Sequence, residues 1–150
     1  MDFNLVSIII SSFLALGSFV FSLYTYRKTL VHDRKQATLE AYNQLQSQAL
    51  DYLNYYKPSD VKEIALNWKS EEYKKISAYI ARIEHFCVGV NQKIYDFKTV
   101  YELAHGYLDG SLKMRIQPIL DRKMVNNKNY YGNIKIVLEN MDKETQRRKQ

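Results

Sequence analysis

The hydrophobic pattern divides the chain into one long apolar segment and a longer amphipathic remainder. No charged residue stands between Phe3 and Tyr26. A helix that crosses a membrane needs about 20 consecutive apolar residues, and this run is longer. The pattern therefore predicts three segments: a transmembrane helix over residues 1–26, a cytoplasmic α-helical domain over residues 27–142 and a basic tail over residues 143–150.

Helical periodicity dominates the remainder, where apolar residues recur at intervals of three and four positions. A first helix continues from the span without a breaker, and Pro58 ends it because proline disfavours the α conformation in the preceding residue. Its apolar face consists of Tyr42, Leu45, Ala49, Leu53 and Tyr56. Asp60, followed by Glu63, then has the form of a capping box for a short helix that reaches Trp68.

The clearest periodicity follows Ser70, which is placed as an N-cap. We interpret its apolar stripe as core: Tyr73, Ile76, Ile80, Ile83, Cys87 and Val90. Asp96 is placed to cap another helix, the stretch HGYLDGS interrupts the pattern, and a further helix has Pro118 at a kink or an exposed start. Residues 126–133 favour turns, and a last amphipathic helix precedes the tail. The predicted fold is all-α, with one amino-terminal span and a cytoplasmic bundle of five or six helices.

Basic residues follow the apolar segment and none precedes it. A secretory signal peptide carries basic residues before its apolar stretch, whereas here only Asp2 precedes it, so we expect an uncleaved signal anchor. Lysine and arginine collect on the cytoplasmic side of a span. The residues that determine this topology are Arg27, Lys28, Arg34 and Lys35. We therefore expect the amino terminus outside the cell and the remainder in the cytoplasm.

The formal net charge of +6 indicates an anionic partner. Lipid headgroups attract a basic domain that is tethered to a membrane, and nucleic acid attracts basic proteins in general. Here the basic residues are dispersed among acidic ones, and several of the tyrosines fall on apolar helix faces, where we expect them in the core. We therefore expect membrane lipid as the partner in preference to nucleic acid.

No combination of residues indicates catalysis, a cofactor or a metal site. The three histidines, His32, His85 and His105, lie on different predicted helices, and Cys87 lies on an apolar stripe, where thiols are typically inert. Glycine-rich phosphate loops and nucleophile elbows are absent from the sequence. We therefore expect a protein that is not an enzyme. One alternative stays open, because Arg27 and His32 have the Arg-four-residues-His spacing of a class of all-helical ribonucleases.

Several stretches of the chain resemble a known bacterial family. The stretch YIARIEHFCVGVNQKIYDFKTVYELAHGYL, the later YYGNIKIVLENM, the amino-terminal span and RKQATLEAYNQL are similar to the bacterial single-span membrane proteins of domain of unknown function family 4760. The segment KPSDVKEIALNWKS has no counterpart in the resemblance. The residues that carry it are Gly89, Val90, Tyr95, Asp96, Val100, Tyr130 and Tyr131.

The resemblance implies a bacterial inner-membrane protein without an assigned biochemistry, and it supplies no catalytic residues. Small membrane-anchored helical proteins of this kind are suspected in antiphage defence, as effectors that end in membrane damage. In physical terms, Gly89 permits close helix packing and Asp96 can cap the helix that follows. We therefore treat Gly89, Tyr95 and Asp96 as a structural motif.

Five small residues within the span share one face of the predicted helix. At about 100° per residue they fall within about 80° of the circumference. They are Ser7, Ser11, Ala15, Ser18 and Ser22. Such a face lets a second helix approach closely, with serines able to hydrogen-bond across, although serine and alanine also cluster by chance in membrane helices. We favour self-association into a homo-oligomer.

Three functions stay open at this point. The first is a homo-oligomeric membrane-anchored effector of defence or signalling, whose spans disturb the bilayer. The second is a tethered scaffold or adaptor that binds a protein partner, and the third is a membrane-associated ribonuclease or nucleic-acid binder. A large residue at Ala15 or Ser18 abolishes function under the first and spares it under the second. Under the third, changing Arg27 or His32 abolishes activity while oligomerisation is intact.

Overall fold

The computed structural model describes the backbone of residues 3–126 and 131–150. Within these ranges the chain is helical and contains no strand, which confirms the predicted all-α fold. Its internal contacts divide it into two units, Met1–Arg34 and Lys35–Gln150. The predicted boundary after residue 26 refers to a membrane edge, which internal contacts do not test, so it stays a prediction.

The first unit is formed by the amino-terminal part of helix α1 (Phe3–Leu45). This helix has 43 residues, and at a rise of 1.5 Å per residue its part within the first unit is about 48 Å long, which exceeds the hydrocarbon thickness of a bilayer. The large apolar side chains of its amino-terminal part are exposed, with Phe13 at 72% and Phe21 at 69%. Within the described residues, one helix is long and apolar enough to cross a membrane, and it is this one.

The second unit begins in the last part of α1 and continues through a series of shorter helices. The end of α1 passes directly into a π-helical turn. The elements that follow α1 are the π-helical turn Gln46–Leu50, α2 (Asp51–Leu53), α3 (Pro58–Leu66), α4 (Glu71–Asn91), α5 (Phe97–His105), the π-helical segment Gly106–Leu112, α6 (Lys113–Asn126) and α7 (Gly132–Arg148).

Helix α4 supplies the largest share of the core of this second unit. It packs against α7, against α3 and against the π-helical turn that follows α1, while α3 packs against α6. Every residue of the stripe predicted after Ser70 is buried, as are Ile134, Val137, Leu138 and Met141 of α7. The sequence periodicity therefore identified the core faces of both helices correctly.

The starts of the helices follow local capping rules. The Ser70 hydroxyl accepts a hydrogen bond from the N–H of Tyr73 (3.1 Å), so Ser70 is the predicted N-cap of α4. Pro58 stands at the first position of α3, where its missing N–H costs nothing, and the Asp60 carboxylate accepts from the N–H of Lys57 (3.1 Å). The capping box predicted to start at Asp60 is therefore wrong, because the helix begins earlier, at Pro58.

Helix continues through HGYLDGS, where the sequence predicted an interruption. HGYLDGS is helical, mostly as the π-helical segment Gly106–Leu112, because Leu108 and Leu112 are buried and packing outweighs the low helix propensity of glycine. Pro118 lies inside α6 and not at its start.

The predicted basic tail is helical over most of its length, since α7 extends to Arg148. In the predicted turn before α7, residues 127–130 lie outside the described ranges, whereas Tyr131 has a left-handed backbone (φ 60°). Tyr130, which carries part of the resemblance, also lies outside them.

Candidate functional site

The five small residues of the span lie on an uninterrupted α-helix. The sequence-derived angles therefore apply, and Ser7, Ser11, Ala15, Ser18 and Ser22 share one exposed face. The hydroxyl of Ser11 donates to the carbonyl of Ser7 and that of Ser22 to the carbonyl of Ser18, both at 2.8 Å. These bonds satisfy the hydroxyl hydrogens of Ser11 and Ser22 inside the helix, which lowers the cost of these two serines in hydrocarbon. The face presents small side chains whose oxygens can still accept hydrogen bonds.

The basic residues predicted to set the topology also lie on α1. Arg27, Lys28, Arg34 and Lys35 are all exposed. Arg27 and His32 are five positions apart on the same helix, so their side chains leave it about 140° apart around the axis. The helix therefore does not bring the arginine and histidine of the ribonuclease-like spacing together.

The carboxyl end of α4 closes in a Schellman motif. The N–H of Lys93 donates to the carbonyl of Val90 (3.0 Å), and the N–H of Ile94 donates to the carbonyl of Gly89 (2.9 Å). This arrangement places Lys93 in the left-handed region, with φ 59°. The chain reverses at Lys93, and Tyr95 returns over the last turns of α4.

Gly89 leaves the space that the Tyr95 ring occupies. A Cβ atom at residue 89 would lie 2.6 Å from Cδ2 and 3.2 Å from Cζ of Tyr95, whereas carbon atoms in contact prefer about 3.5–4.0 Å. The ring of Tyr95 also stacks on that of Phe86, with centroids 5.2 Å apart. The sequence predicted close helix packing at Gly89, and the group that approaches closely is an aromatic ring from the following turn.

Asp96 connects the start of α5 with the last part of α1. Its carboxylate accepts from the N–H of Thr99 (2.8 Å) and from the Thr99 hydroxyl (2.7 Å), so Asp96 is the predicted N-cap of α5. Its own N–H donates to Oγ1 of Thr38 (2.8 Å). Thr38 is fully buried in the core. The motif of Gly89, Tyr95 and Asp96 thus fixes the turn between α4 and α5 against α1.

Glu84 of α4 caps the amino terminus of α7, which the sequence did not indicate. Its Oε1 accepts from the backbone N–H of Asn133 (3.1 Å) and from the Asn133 side-chain amide (2.8 Å), and its Oε2 accepts from the N–H of Ile134 (2.9 Å). Tyr131, the N-cap residue of α7, supplies no side-chain cap. A carboxylate at a helix amino terminus also interacts favourably with the helix dipole.

Arg148 joins the last turn of α7 to α5. Its guanidinium contacts Glu102 (2.8 Å) and Glu144 (3.0 Å) and lies 4.3 Å from the ring centroid of Tyr101. The Tyr101 ring also stacks on His105, with centroids 4.5 Å apart. A basic residue from the predicted tail is therefore part of the folded unit.

Two of the groups considered for chemistry lie within the packing of the second unit: Cys87 is buried, and His105 contacts the backbone of its own helix. Burial raises the pKa of the Cys87 thiol, which keeps it protonated and unreactive at neutral pH. Nδ1 of His105 lies 2.9 Å from the carbonyl oxygen of Tyr101, one turn earlier in the same helix. Within the described residues, no group of three histidine, cysteine, aspartate or glutamate side chains is placed to hold a metal ion.

Comparison with known proteins gives a match to a family model. None of the curated proteins and none of the solved structures matches the chain. The family model described as Domain of unknown function (DUF4760) matches residues 12–141, which include most of the span, the motif of Gly89, Tyr95 and Asp96, and most of α7. The chain therefore belongs to the DUF4760 family.

Proposed function

We propose that this chain is a membrane-anchored helical protein that self-associates through its span and acts as a phage-defence or signalling effector at the bacterial inner membrane. The observation that carries the proposal is the amino-terminal part of α1. It is an apolar helix of membrane-spanning length whose small residues form one face. Without a membrane or a second helix, its large side chains would be exposed to water at considerable cost.

The distribution of charge supports an orientation with the amino terminus outside and the helical domain in the cytoplasm. Arg27, Lys28, Arg34 and Lys35 all follow the apolar segment, and lysine and arginine collect on the cytoplasmic side of a span. The same residues lie where they can contact anionic lipid headgroups, each contributing about 1 kcal/mol near the surface.

The small-residue face supports self-association within the bilayer. Packing between membrane helices depends on close backbone approach, which serine and alanine permit and leucine or phenylalanine prevent. The opposite side of the span carries bulky side chains such as Phe13, Leu16 and Val20, which suit contact with lipid tails. Two copies that meet at the small face would each keep their bulky residues in lipid.

A pair of serine substitutions tests the association directly. Ser18→Leu places a large side chain within the small face, whereas Ser12→Leu makes the same change about 60° beyond its edge. We expect Ser18→Leu to abolish the oligomer of the full chain in lipid nanodiscs, as measured by cross-linking and mass photometry, and Ser12→Leu to preserve it. An oligomer that survives Ser18→Leu rules out association through this face.

A second candidate function is a membrane-tethered adaptor that binds a protein partner. Several large apolar side chains of the second unit are exposed, among them Tyr55 at 84% and Leu66 at 75%. In an adaptor the span serves only as a tether, so Ser18→Leu leaves function intact while Tyr55→Ala with Leu66→Ala abolishes it. The opposite pattern supports the effector.

A further inference from the structure

A cleft opens in the second unit between the last turns of α1 and the middle of α4. Its volume is about 440 Å³, which lies within the range of roughly 300–1,000 Å³ typical of small-molecule sites. The floor is apolar and includes Leu45 and Phe86, and Tyr95 of the α4–α5 turn forms part of the wall. The cleft thus adjoins the motif that Gly89 makes possible, because Gly89 leaves the room that Tyr95 occupies.

The polar side chains around this cleft are suited to an anion. They are a guanidinium, an imidazole and two amides, from Arg82, His85, Gln44 and Gln48, and no carboxylate of the described residues lines the cleft. Each of these groups can donate a hydrogen bond. The guanidinium in addition matches the planar geometry of a carboxylate or phosphate. Among the described residues that line the cleft, an anion therefore meets hydrogen-bond donors and no carboxylate.

The structure holds Arg82 in place before any ligand binds. Its Nη1 donates to the carbonyl oxygen of Gln48 (2.6 Å), which belongs to the π-helical turn Gln46–Leu50. π-Helical turns next to α-helices are frequent at functional sites, since they shift side chains out of regular register. One nitrogen of the guanidinium is engaged in this bond, and the remaining N–H groups can contact a ligand. Holding the arginine in advance lowers the entropy cost of binding.

We infer that this cleft binds a small organic anion. Its phosphate or carboxylate group contacts Arg82 and His85, and its apolar body lies on the floor formed by Leu45 and Phe86. The inference is independent of self-association through the span, because every residue that carries it lies in the second unit. It extends the proposed function by giving the helical domain a ligand to sense.

Binding to the full chain in detergent micelles tests the inference. Isothermal titration calorimetry with adenosine 5′-monophosphate, inorganic phosphate and uncharged adenosine separates the contributions of charge and apolar body. We expect saturable binding of adenosine 5′-monophosphate, weaker binding of phosphate and no binding of adenosine. Titration of empty micelles with each probe is the blank.

A matched pair of variants locates the binding within the molecule. Gln44→Glu introduces a carboxylate of nearly the same shape into the cleft, and we expect it to weaken adenosine 5′-monophosphate binding at least about tenfold. Gln46→Glu makes the same charge change on an exposed residue that does not line the cleft, and it preserves the affinity. Thermal unfolding of both variants verifies that the fold is retained.

Four results overturn the inference. The first is absence of saturable binding of adenosine 5′-monophosphate, and the second is equal affinity of Gln44→Glu and Gln46→Glu for it. The third is adenosine that binds as tightly as its monophosphate, because this would place the ligand in the cleft without the anionic contact. The fourth is inorganic phosphate that binds as tightly as the monophosphate, because this would show that the apolar part of the ligand contributes nothing to binding.

Discussion

Replacing Gly89 with alanine tests the close approach at the α4–α5 turn. Alanine is the better helix former by about 1 kcal/mol, so helix propensity alone expects Gly89→Ala to stabilise α4. We expect Gly89→Ala to destabilise the protein instead, because the added Cβ would lie 2.6 Å from Cδ2 of Tyr95. The ring of Tyr95 has to move, and it cannot do so without disturbing its stacking on Phe86.

The expected magnitude follows from these opposing terms. Loss of the aromatic pair costs about 0.5–1.5 kcal/mol, and overpacking a filled site costs about 1–3 kcal/mol. Subtracting the gain in propensity of about 1 kcal/mol leaves a net destabilisation of about 0.5–3.5 kcal/mol. For a unit of this size, each kcal/mol lowers Tm by roughly 4 °C, so the middle of this range corresponds to a fall of roughly 8 °C.

Thermal unfolding of the full chain in detergent, followed by circular dichroism, measures the effect. Gly106→Ala is the matched control, since a Cβ at Gly106 meets no atom within 4 Å, and we expect it to raise stability by about 0.5–1 kcal/mol. Adding Tyr95→Ala to Gly89→Ala removes the clash, so the two changes should be non-additive by at least about 1 kcal/mol. If Gly89→Ala stabilises the protein as much as Gly106→Ala, the close approach is refuted.

Three further predictions concern single side chains. Glu84→Ala removes the cap of α7 and should cost about 2–3 kcal/mol, whereas exposed Glu63→Ala should change stability by less than about 0.5 kcal/mol; equal effects in thermal unfolding would contradict the cap. Lys93→Gly relieves the left-handed backbone and should stabilise by up to about 1 kcal/mol, and destabilisation would contradict the Schellman motif. Burial raises the pKa of the Cys87 thiol, so iodoacetamide should label the folded chain far more slowly than the unfolded chain. Above the ordinary thiol pKa of 9.0, the Cys87 thiol loses its proton in the unfolded state but keeps it in the folded state. This ionisation favours unfolding, so the stability of the protein falls as the pH rises above 9.0. Cys87→Ala should remove this part of the pH dependence, and identical pH profiles would contradict it.

Features that depend on neighbouring residues were predictable from the sequence. The Ser70 and Asp96 caps bond to residues three positions away, and the apolar stripe of α4 repeats at the helical period. The apolar segment of α1 is likewise a property of one continuous stretch of sequence. In each case, the interacting groups are close in the chain.

Features that depend on distant residues were not predictable in this way. Glu84 caps a helix whose first residues lie 49 and 50 positions later, and Asp96 donates to Thr38 across 58 positions. The stretch HGYLDGS has the composition of a loop, and it is helical because Leu108 and Leu112 are buried by packing. Tertiary packing outweighed local preference there.

The same distinction between neighbouring and distant residues applies to the two candidate sites. The small-residue face of the span follows from sequence spacing once the helix is established. The cleft does not, because Gln44 and Arg82 belong to separate helices and only the fold brings them to one cavity. His85 was considered as a metal ligand from the sequence, and the structure places it beside an arginine and two amides.

The membrane potential of bacteria that express the chain from an inducible promoter tests the central claim most directly. A potential-sensitive dye compares the full chain, Ser18→Leu, Ser12→Leu and residues 27–150. The account predicts depolarisation and growth arrest with the full chain and with Ser12→Leu, and neither with Ser18→Leu or with residues 27–150. An unchanged potential with the full chain, or depolarisation by Ser18→Leu equal to that of Ser12→Leu, would contradict it.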